Sequence, residues 1–279
     1  LSRSSAYLLV FHGSRDPRPQ AAVNVLAELF AQSFSTLLQR GICDRAYQSD
    51  ATLITSKIAT GSQSQVLSEL NQPLVATAYL ECGALTLQTQ IEQFGAEIYE
   101  KNLRSLIILP LFLLAGMHVM TDIPREVELA QKTLGQKVKI TLQPHLGSHP
   151  QLQAIVSQRM AQSYQDTWIL LAHGSRRVGA NQPIEALANQ LNAIAAYWSV
   201  TPNLPTQIQQ LANTGFSKIG IFPYFLFSGG ITDLIQQECD RLSDQFPNLD
   251  LDLTSPLDAT PELANLLVDL AIETAISIP

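Results

Sequence analysis

Two histidines and a glutamate stand at comparable places in this chain. His12, Glu81 and His118 each follow an apolar run and each lie beside a glycine or a turn. Two imidazoles and a carboxylate suit Fe2+, Co2+, Ni2+ or Zn2+, and the same groups can take up protons near neutral pH. A single histidine at the end of an apolar run is commonly a hydrogen-bonded structural residue; three such groups at three run ends point to a site. His173 closes a fourth run. Ser14 and Ser175 add hydroxyl donors, and Arg15, Arg18, Arg125 and Arg176 follow run ends closely enough to reach an anionic ligand. His145 and His149 are four residues apart, a spacing that shares one face of a helix. Gly147 and Pro150 exclude a helix there, so the expectation is a turn with exposed imidazoles.

The runs themselves read as buried strands of a parallel sheet, apolar throughout because both faces are covered. Such strands deliver ligand-contacting groups at their carboxyl ends. Strands are expected over 7–11, 74–80, 105–114 and 138–142, then 168–172, 195–200, 218–227 and 249–253. Between them the spacing predicts helices. The first runs to about Leu38, with Asp16 as its cap and Pro17 in its first turn. Thr86 to Phe94 forms the next, and Thr121 or Asp122 caps another that has Pro124 in its first turn. Leu152–Met160 closes the first half. In the second half one helix carries Ile184, Leu187, Ala188, Leu191 and Ile194, and others pass through Ile208 and Leu211, from Thr232 to about Leu242, and from Pro261 to about Ser277. Strands alternating with helices make this an α/β chain.

The order is written twice. Tyr7-Leu8-Leu9-Val10-Phe11-His12-Gly13-Ser14-Arg15 returns as Trp168-Ile169-Leu170-Leu171-Ala172-His173-Gly174-Ser175-Arg176. Thr89-Gln90-Ile91 matches Thr206-Gln207-Ile208, and Pro110-Leu111-Phe112-Leu113 matches Pro223-Tyr224-Phe225-Leu226. Pro150-x-Leu152 matches Pro261-x-Leu263. Two tandem, duplicated domains follow, 1–165 and 166–279, each a parallel sheet flanked by helices, with a cleft between them. A polar stretch rich in Gln, Ser and Thr, about 41–73, interrupts the first copy only and reads as a surface excursion. In this alignment His12 falls opposite His173, Glu81 opposite Trp198 and His118 opposite Ile231. The complete set therefore belongs to the first half, and His173 either supports the fold or contacts a ligand across the cleft.

With 279 residues and 46% apolar content the chain can bury two substantial cores. Its formal charge is −7 and its pI about 5.2, with no Lys/Arg cluster, which argues against nucleic acid as a partner. The apolar run from Leu106 to Met120 is interrupted by Pro110 and too short to span a bilayer. No basic-then-apolar leader opens the sequence. Cys43, Cys82 and Cys239 are far apart and odd in number, so they form no disulfide framework, lack thiolate-metal spacing and read as buried or bystanders. A cytoplasmic protein without a membrane partner is the expectation.

The motifs resemble those of the sirohydrochlorin chelatases in their long, two-domain form. Phe11-His12-Gly13-Ser14-Arg15-Asp16-Pro17, Tyr79-Leu80-Glu81, Leu109-Pro110-Leu111-Phe112-Leu113 and Gly116-Met117-His118-Val119-Met120-Thr121-Asp122-Ile123-Pro124 carry the resemblance in the first half. Ala172-His173-Gly174-Ser175-Arg176 and Pro223-Tyr224-Phe225-Leu226-Phe227 carry it in the second. The resemblance implies ATP-independent insertion of a divalent metal, foremost Fe2+, into sirohydrochlorin, a tetrapyrrole with eight carboxylates. It implies that His12 and His118 bind the metal and act in catalysis, with Glu81 as a third participant. Ser14, Arg15, His173, Ser175 and Arg176 become candidate contacts to the tetrapyrrole.

Insertion of Co2+ or Ni2+ would use the same ligands, and a non-catalytic tetrapyrrole or metal carrier would need them too. A histidine phosphatase requires arginine directly before its histidine, where this chain has Phe11. Dinucleotide binding lacks its Gly-x-Gly-x-x-Gly after the first strand. Two linked copies already supply both walls of a cleft, so a monomer is expected.

Overall fold

We describe residues 5–39 and 72–276 of a computed structural model. The polar stretch expected over 41–73 therefore lies outside the described residues except for its last two, as does Cys43. The first half runs β1 (Ser5–Phe11), α1 (Pro17–Gln39), β2 (Leu74–Tyr79), α2 (Leu87–Glu100), β3 (Ser105–Pro110), α3 (Ile123–Leu134), β4 (Lys139–Leu142) and α4 (Leu152–Met160). A wide π-helical turn, His118–Asp122, leads into α3, and a short 3-10 turn, Leu146–Ser148, precedes α4. The second half runs β5 (Thr167–Ala172), α5 (Gln182–Gln190), β6 (Ala193–Tyr197), α6 (Leu204–Asn213), β7 (Lys218–Pro223), α7 (Gly230–Gln245), β8 (Asp250–Leu253) and α8 (Pro261–Ile276).

All pairings are parallel. The strand orders are β2-β1-β3-β4 and β6-β5-β7-β8, so the two halves share one topology, as the duplication requires. The α/β class with tandem parallel sheets is thus what the chain adopts. In the first sheet β1 connects to β2 on one side while β3 connects to β4 on the other, and β5 and β7 do the same in the second. The gap between the carboxyl ends of β1 and β3 is a topological switch point, where sheets of this kind hold ligands.

The continuous apolar run of β1 is explained by its two covered faces. Leu8 and Val10 pack with Ile91, Phe94, Ala130 and Leu134 of α2 and α3. Tyr7, Leu9 and Phe11 face the other way, into a cluster that includes Phe30 and Phe34 of α1. Tyr7 meets those two rings at centroid distances of 5.2 and 4.9 Å. The same cluster takes in Leu170 and Ala172 of β5, so one apolar core spans the inner faces of both sheets.

The two closing helices tie the halves together. The main neighbours of α8 are α1, β3, α4 and the 146–148 turn, all in the first half. Its counterpart α4 ends beside Trp168 and Leu191 of the second half, which line a pocket with Met160. Arg159 of α4 donates to the carbonyls of Pro256 and Leu257, just before α8. By length and composition the Pro17–Leu38 span of α1 could cross a bilayer. Here Val23, Leu26, Phe30 and Phe34 of this helix are buried inside the protein.

Several expected boundaries shift for identifiable reasons. β3 and β7 stop at Pro110 and Pro223, four residues before the apolar runs end, because proline has no N–H for the ladder. Ile194 belongs to β6 rather than to the helix before it. That helix stops short of Asn192, whose φ of 53° breaks the turn, so the spacing from Leu191 to Ile194 continues across a change of structure.

Candidate metal centre at the strand ends

His12 is the first residue after β1. Leu80 N–H donates to the Phe11 carbonyl at 2.9 Å and Glu81 N–H to the His12 carbonyl at 2.8 Å. These bonds carry the β1–β2 pairing two rungs past the end of β2 and set Glu81 beside His12. Gly13 turns the chain away at once, with φ +91°, and a Cβ on it would lie 2.0 Å from the Glu81 carbonyl oxygen. Only glycine fits both the left-handed backbone and the close approach. Cys82, also at positive φ, turns the chain after Glu81.

His118 arrives from the other side of the switch point, on the π-helical turn after β3. The His12 and His118 rings stand 5.0 Å apart, nearly perpendicular at 82°. His12 Nε2 is 3.9 Å from Glu81 Oε2, and His118 Nε2 is 4.0 Å from Glu81 Oε1. The two imidazoles thus present the same nitrogen to the two oxygens of one carboxylate. One ligand atom from each residue falls within 4.8 Å of the others, the only such trio of potential metal ligands among the described residues. Donors that bind one ion at about 2.0–2.2 Å stand roughly 3–4 Å apart, so little adjustment would let the trio close on an ion. Three protein donors leave coordination positions open, and side-chain exposures of 52%, 52% and 34% leave the trio accessible.

The opposite nitrogens are also engaged. His12 Nδ1 lies 3.1 Å from the Gly13 carbonyl, and His118 Nδ1 lies 2.8 Å from Asp122 Oδ2. Asp122 had been expected to cap a helix, but the helical backbone starts a turn earlier, at Met117, and Asp122 makes no capping bond. Asp122 follows His118 by four residues, a spacing that puts both side chains on one side of the turn.

Beside the trio, and sharing His12 with it, opens a cleft of about 430 Å3 between the halves. Phe11, Ser14 and Leu111 line one wall; His173, Phe225, Phe227 and Ile231 line the other. Of the candidate tetrapyrrole contacts, Ser14 and His173 face this cleft. Arg15 and Arg176 are exposed on the loops after β1 and β5, with no ion pair among the described residues, and Ser175 shares the second loop. Ser14 and Ser175 each accept a backbone N–H two residues on, from Asp16 and Arg177. Phe225 and Phe227, expected within the strand 218–227, lie past its end at Pro223 and form an apolar wall of the cleft.

Three expectations need correction. Arg18 is not available to an anionic ligand: its guanidinium donates to both carboxylates of Asp16 and Asp233, joining the halves. Arg18 holds the Asp16 carboxyl down at about 2 and lowers that of Asp233. Asp16 also caps α1 as expected, accepting from Arg18 N–H at 3.0 Å. His149 is buried, not exposed; it accepts from Gln151 N–H at 3.2 Å and lies 3.8 Å from Asp269 of α8. His145 is partly covered, and burial pushes its pKa down. Finally, Ser199 rather than Trp198 corresponds to Glu81. Ser199 N–H donates to the His173 carbonyl just as Glu81 N–H donates to that of His12. Of the cysteines, Cys239 is buried, with its thiol pushed up to about 12 by desolvation, and Cys82 is exposed.

The CbiX family model matches the chain twice, over residues 35–163 and 167–274. A sirohydrochlorin ferrochelatase of Priestia megaterium is 25% identical over 187 residues, 62% of this chain and 68% of that protein. A sirohydrochlorin cobaltochelatase of the same organism is 22% identical over 216 residues, 72% of this chain and 69% of that protein. The structure of SirB from Bacillus subtilis with Fe3+ shares the fold, with a TM-score of 0.68 at 22% identity, covering 98% of this chain and 96% of that one. Two successive matches to one family model, over two halves of one topology, show that the chain belongs to the CbiX family.

Proposed function

We propose that this protein is a chelatase that inserts a divalent metal, foremost Fe2+, into sirohydrochlorin. The observation that carries this reading is the placement of His12 and His118 Nε2 against the two oxygens of Glu81, at the mouth of an apolar cleft. The reaction exchanges two pyrrole N–H protons for one divalent ion, so both must be handled at one place. His12, His118 and Glu81 hold the ion by replacing some of its water. As macrocycle nitrogens take the ion, the released imidazoles and carboxylate accept the two protons and pass them to solvent. No nucleotide enters this balance.

The aromatic and aliphatic walls suit the macrocycle's apolar plane, and the second half supplies the wall that faces His12. Ser14, Arg15, His173, Ser175 and Arg176 are assigned to the macrocycle and its carboxylates. In this reading domains 1–165 and 166–279 act as one monomer in the cytoplasm, without nucleic acid or membrane. A cobalt reading has its own support, since one relative is named a cobaltochelatase and the donor set suits either ion.

Anaerobic mixing of the purified protein with sirohydrochlorin and Fe2+, Co2+ or Ni2+, followed by the macrocycle's absorption, tests the proposal. Turnover should be fastest with Fe2+. His12→Ala and His118→Ala should each slow it roughly a hundredfold or more. Near-normal rates in both variants would sink the site, and stable macrocycle binding without turnover by any metal would favour a carrier.

A further inference from the structure

His118 can donate from Nδ1 or from Nε2 while neutral, but it is Nε2 that lies 4.0 Å from Glu81 Oε1, while Nδ1 lies against Asp122. A proton on Nε2 would occupy the lone pair that an ion needs. Free imidazole chemistry does not enforce the useful arrangement, since neutral histidine in water favours the Nε2–H form. Something on the far side of the ring must hold the proton. Asp122 Oδ2 lies 2.8 Å from His118 Nδ1, a charge-assisted distance, while the ring's other side is left to the trio.

The turn that carries both residues supports the pairing. His118 to Asp122 form a π-helical turn, with Ile123 N–H donating to the His118 carbonyl. Single π turns inside helices are a recurrent feature of functional sites. Pro124 follows directly and has no N–H to leave stranded. Asp122 has helical backbone angles and makes no helix-capping bond; among the described residues its side-chain partner is His118. It stands outside the trio of metal-ligating atoms.

We propose that Asp122 is a positioning residue: by accepting the His118 Nδ1 proton it fixes the ring's orientation and presents the Nε2 lone pair to the incoming metal. This rests on the reading of His118 as a metal ligand. Among the described residues His12 Nδ1 has the carbonyl of its own neighbour, at 3.1 Å, for the same purpose. The two imidazoles are therefore unequal, with His118 the firmly held ligand and His12 the one freer to swing towards the cleft it lines.

The test uses the full chain without macrocycle. Nitrogen-15 spectra of the imidazoles, taken where they are neutral, report the tautomer; the His118 signal is assigned by its loss in His118→Ala. Direct titration with Co2+ reports affinity. In the unchanged protein His118 should carry its proton on Nδ1. Asp122→Ala should move that proton towards Nε2 and weaken Co2+ binding about 10- to 100-fold. Asp122→Asn keeps an acceptor oxygen at the same reach, so it should restore the tautomer and part of the affinity. If Asp122→Ala leaves either the tautomer or the Co2+ affinity at the unchanged protein's value, the positioning role is wrong. In that case, weakened binding in His118→Ala would still uphold the metal site, whereas unaltered binding in His118→Ala would overturn the site itself.

Discussion

At the scale of single residues, the site depends on one carboxylate shared by two imidazoles. Glu81→Gln preserves its size and removes the charge that would balance an ion. We expect the chelation rate to fall roughly a hundredfold, with weaker metal binding and little change in thermal stability, because the side chain is half exposed. Macrocycle binding measured by fluorescence quenching should survive; its loss together with activity would mean that Glu81 serves the tetrapyrrole instead. The trio was legible from residue type and position at strand ends. Three other assignments failed because type and spacing do not show partners. Asp122 looked like a cap and is bonded to His118; Arg18 looked free and is doubly paired; His149 looked exposed and is buried against α8. Trp198 was matched to Glu81 because an alignment counts letters, whereas the backbone bond from Ser199 to His173 fixes the true register one residue later.

The elements place those residues, and the glycine after each first strand is the sharpest point of control. Gly13 and Gly174 have φ of +91° and +82°, and an added Cβ would come within 2.0 Å of the Glu81 carbonyl in one half and 2.7 Å of Tyr197 Cβ in the other. Gly13→Ala and Gly174→Ala should each cost about 1–3 kcal/mol in unfolding free energy. Only Gly13→Ala should also abolish Co2+ binding, because only there does the displaced backbone carry a proposed metal ligand, Glu81. Denaturant titration and metal titration of the two variants separate these effects; equal loss of metal binding in both would refute the asymmetry between halves. Most strands and helices were readable from apolar runs and 3.6-residue spacing. Their ends were not, because Pro110 and Pro223 stop strands inside runs that remain apolar, and the helix entered at Met117 begins before any capping residue.

Over the whole molecule, the halves are joined by a shared core and by the Arg18 clamp. Asp16, at about 2, is held below its ordinary value of 3.8 by Arg18, so its share of stability is present above the ordinary value and lost as pH falls through about 2. Arg18→Ala should melt below the unchanged protein at neutral pH, by a margin that salt reduces because the groups are exposed. The gap between the two melting curves should close as pH falls from about 4 towards about 2. A gap that persists unchanged through that range would show that charge pairing is not its source. The duplication was plain in the sequence, but the placement of α8 was not: periodicity shows that a helix has an apolar face and not which sheet will cover it. The main neighbours of α8 are α1, β3 and α4, so removing it from the full chain should expose Phe30 and Phe34 and unfold the first half along with the proposed metal site. Retention of Co2+ binding by a chain ending before Pro261 would contradict this. The same placement sets a timetable. On the ribosome α1 emerges well before α8, so the first half waits with an uncovered apolar face while the second is still being translated. Factors that hold nascent chains have a surface to cover in that interval, and the first half gains its full support only once α8 has been made.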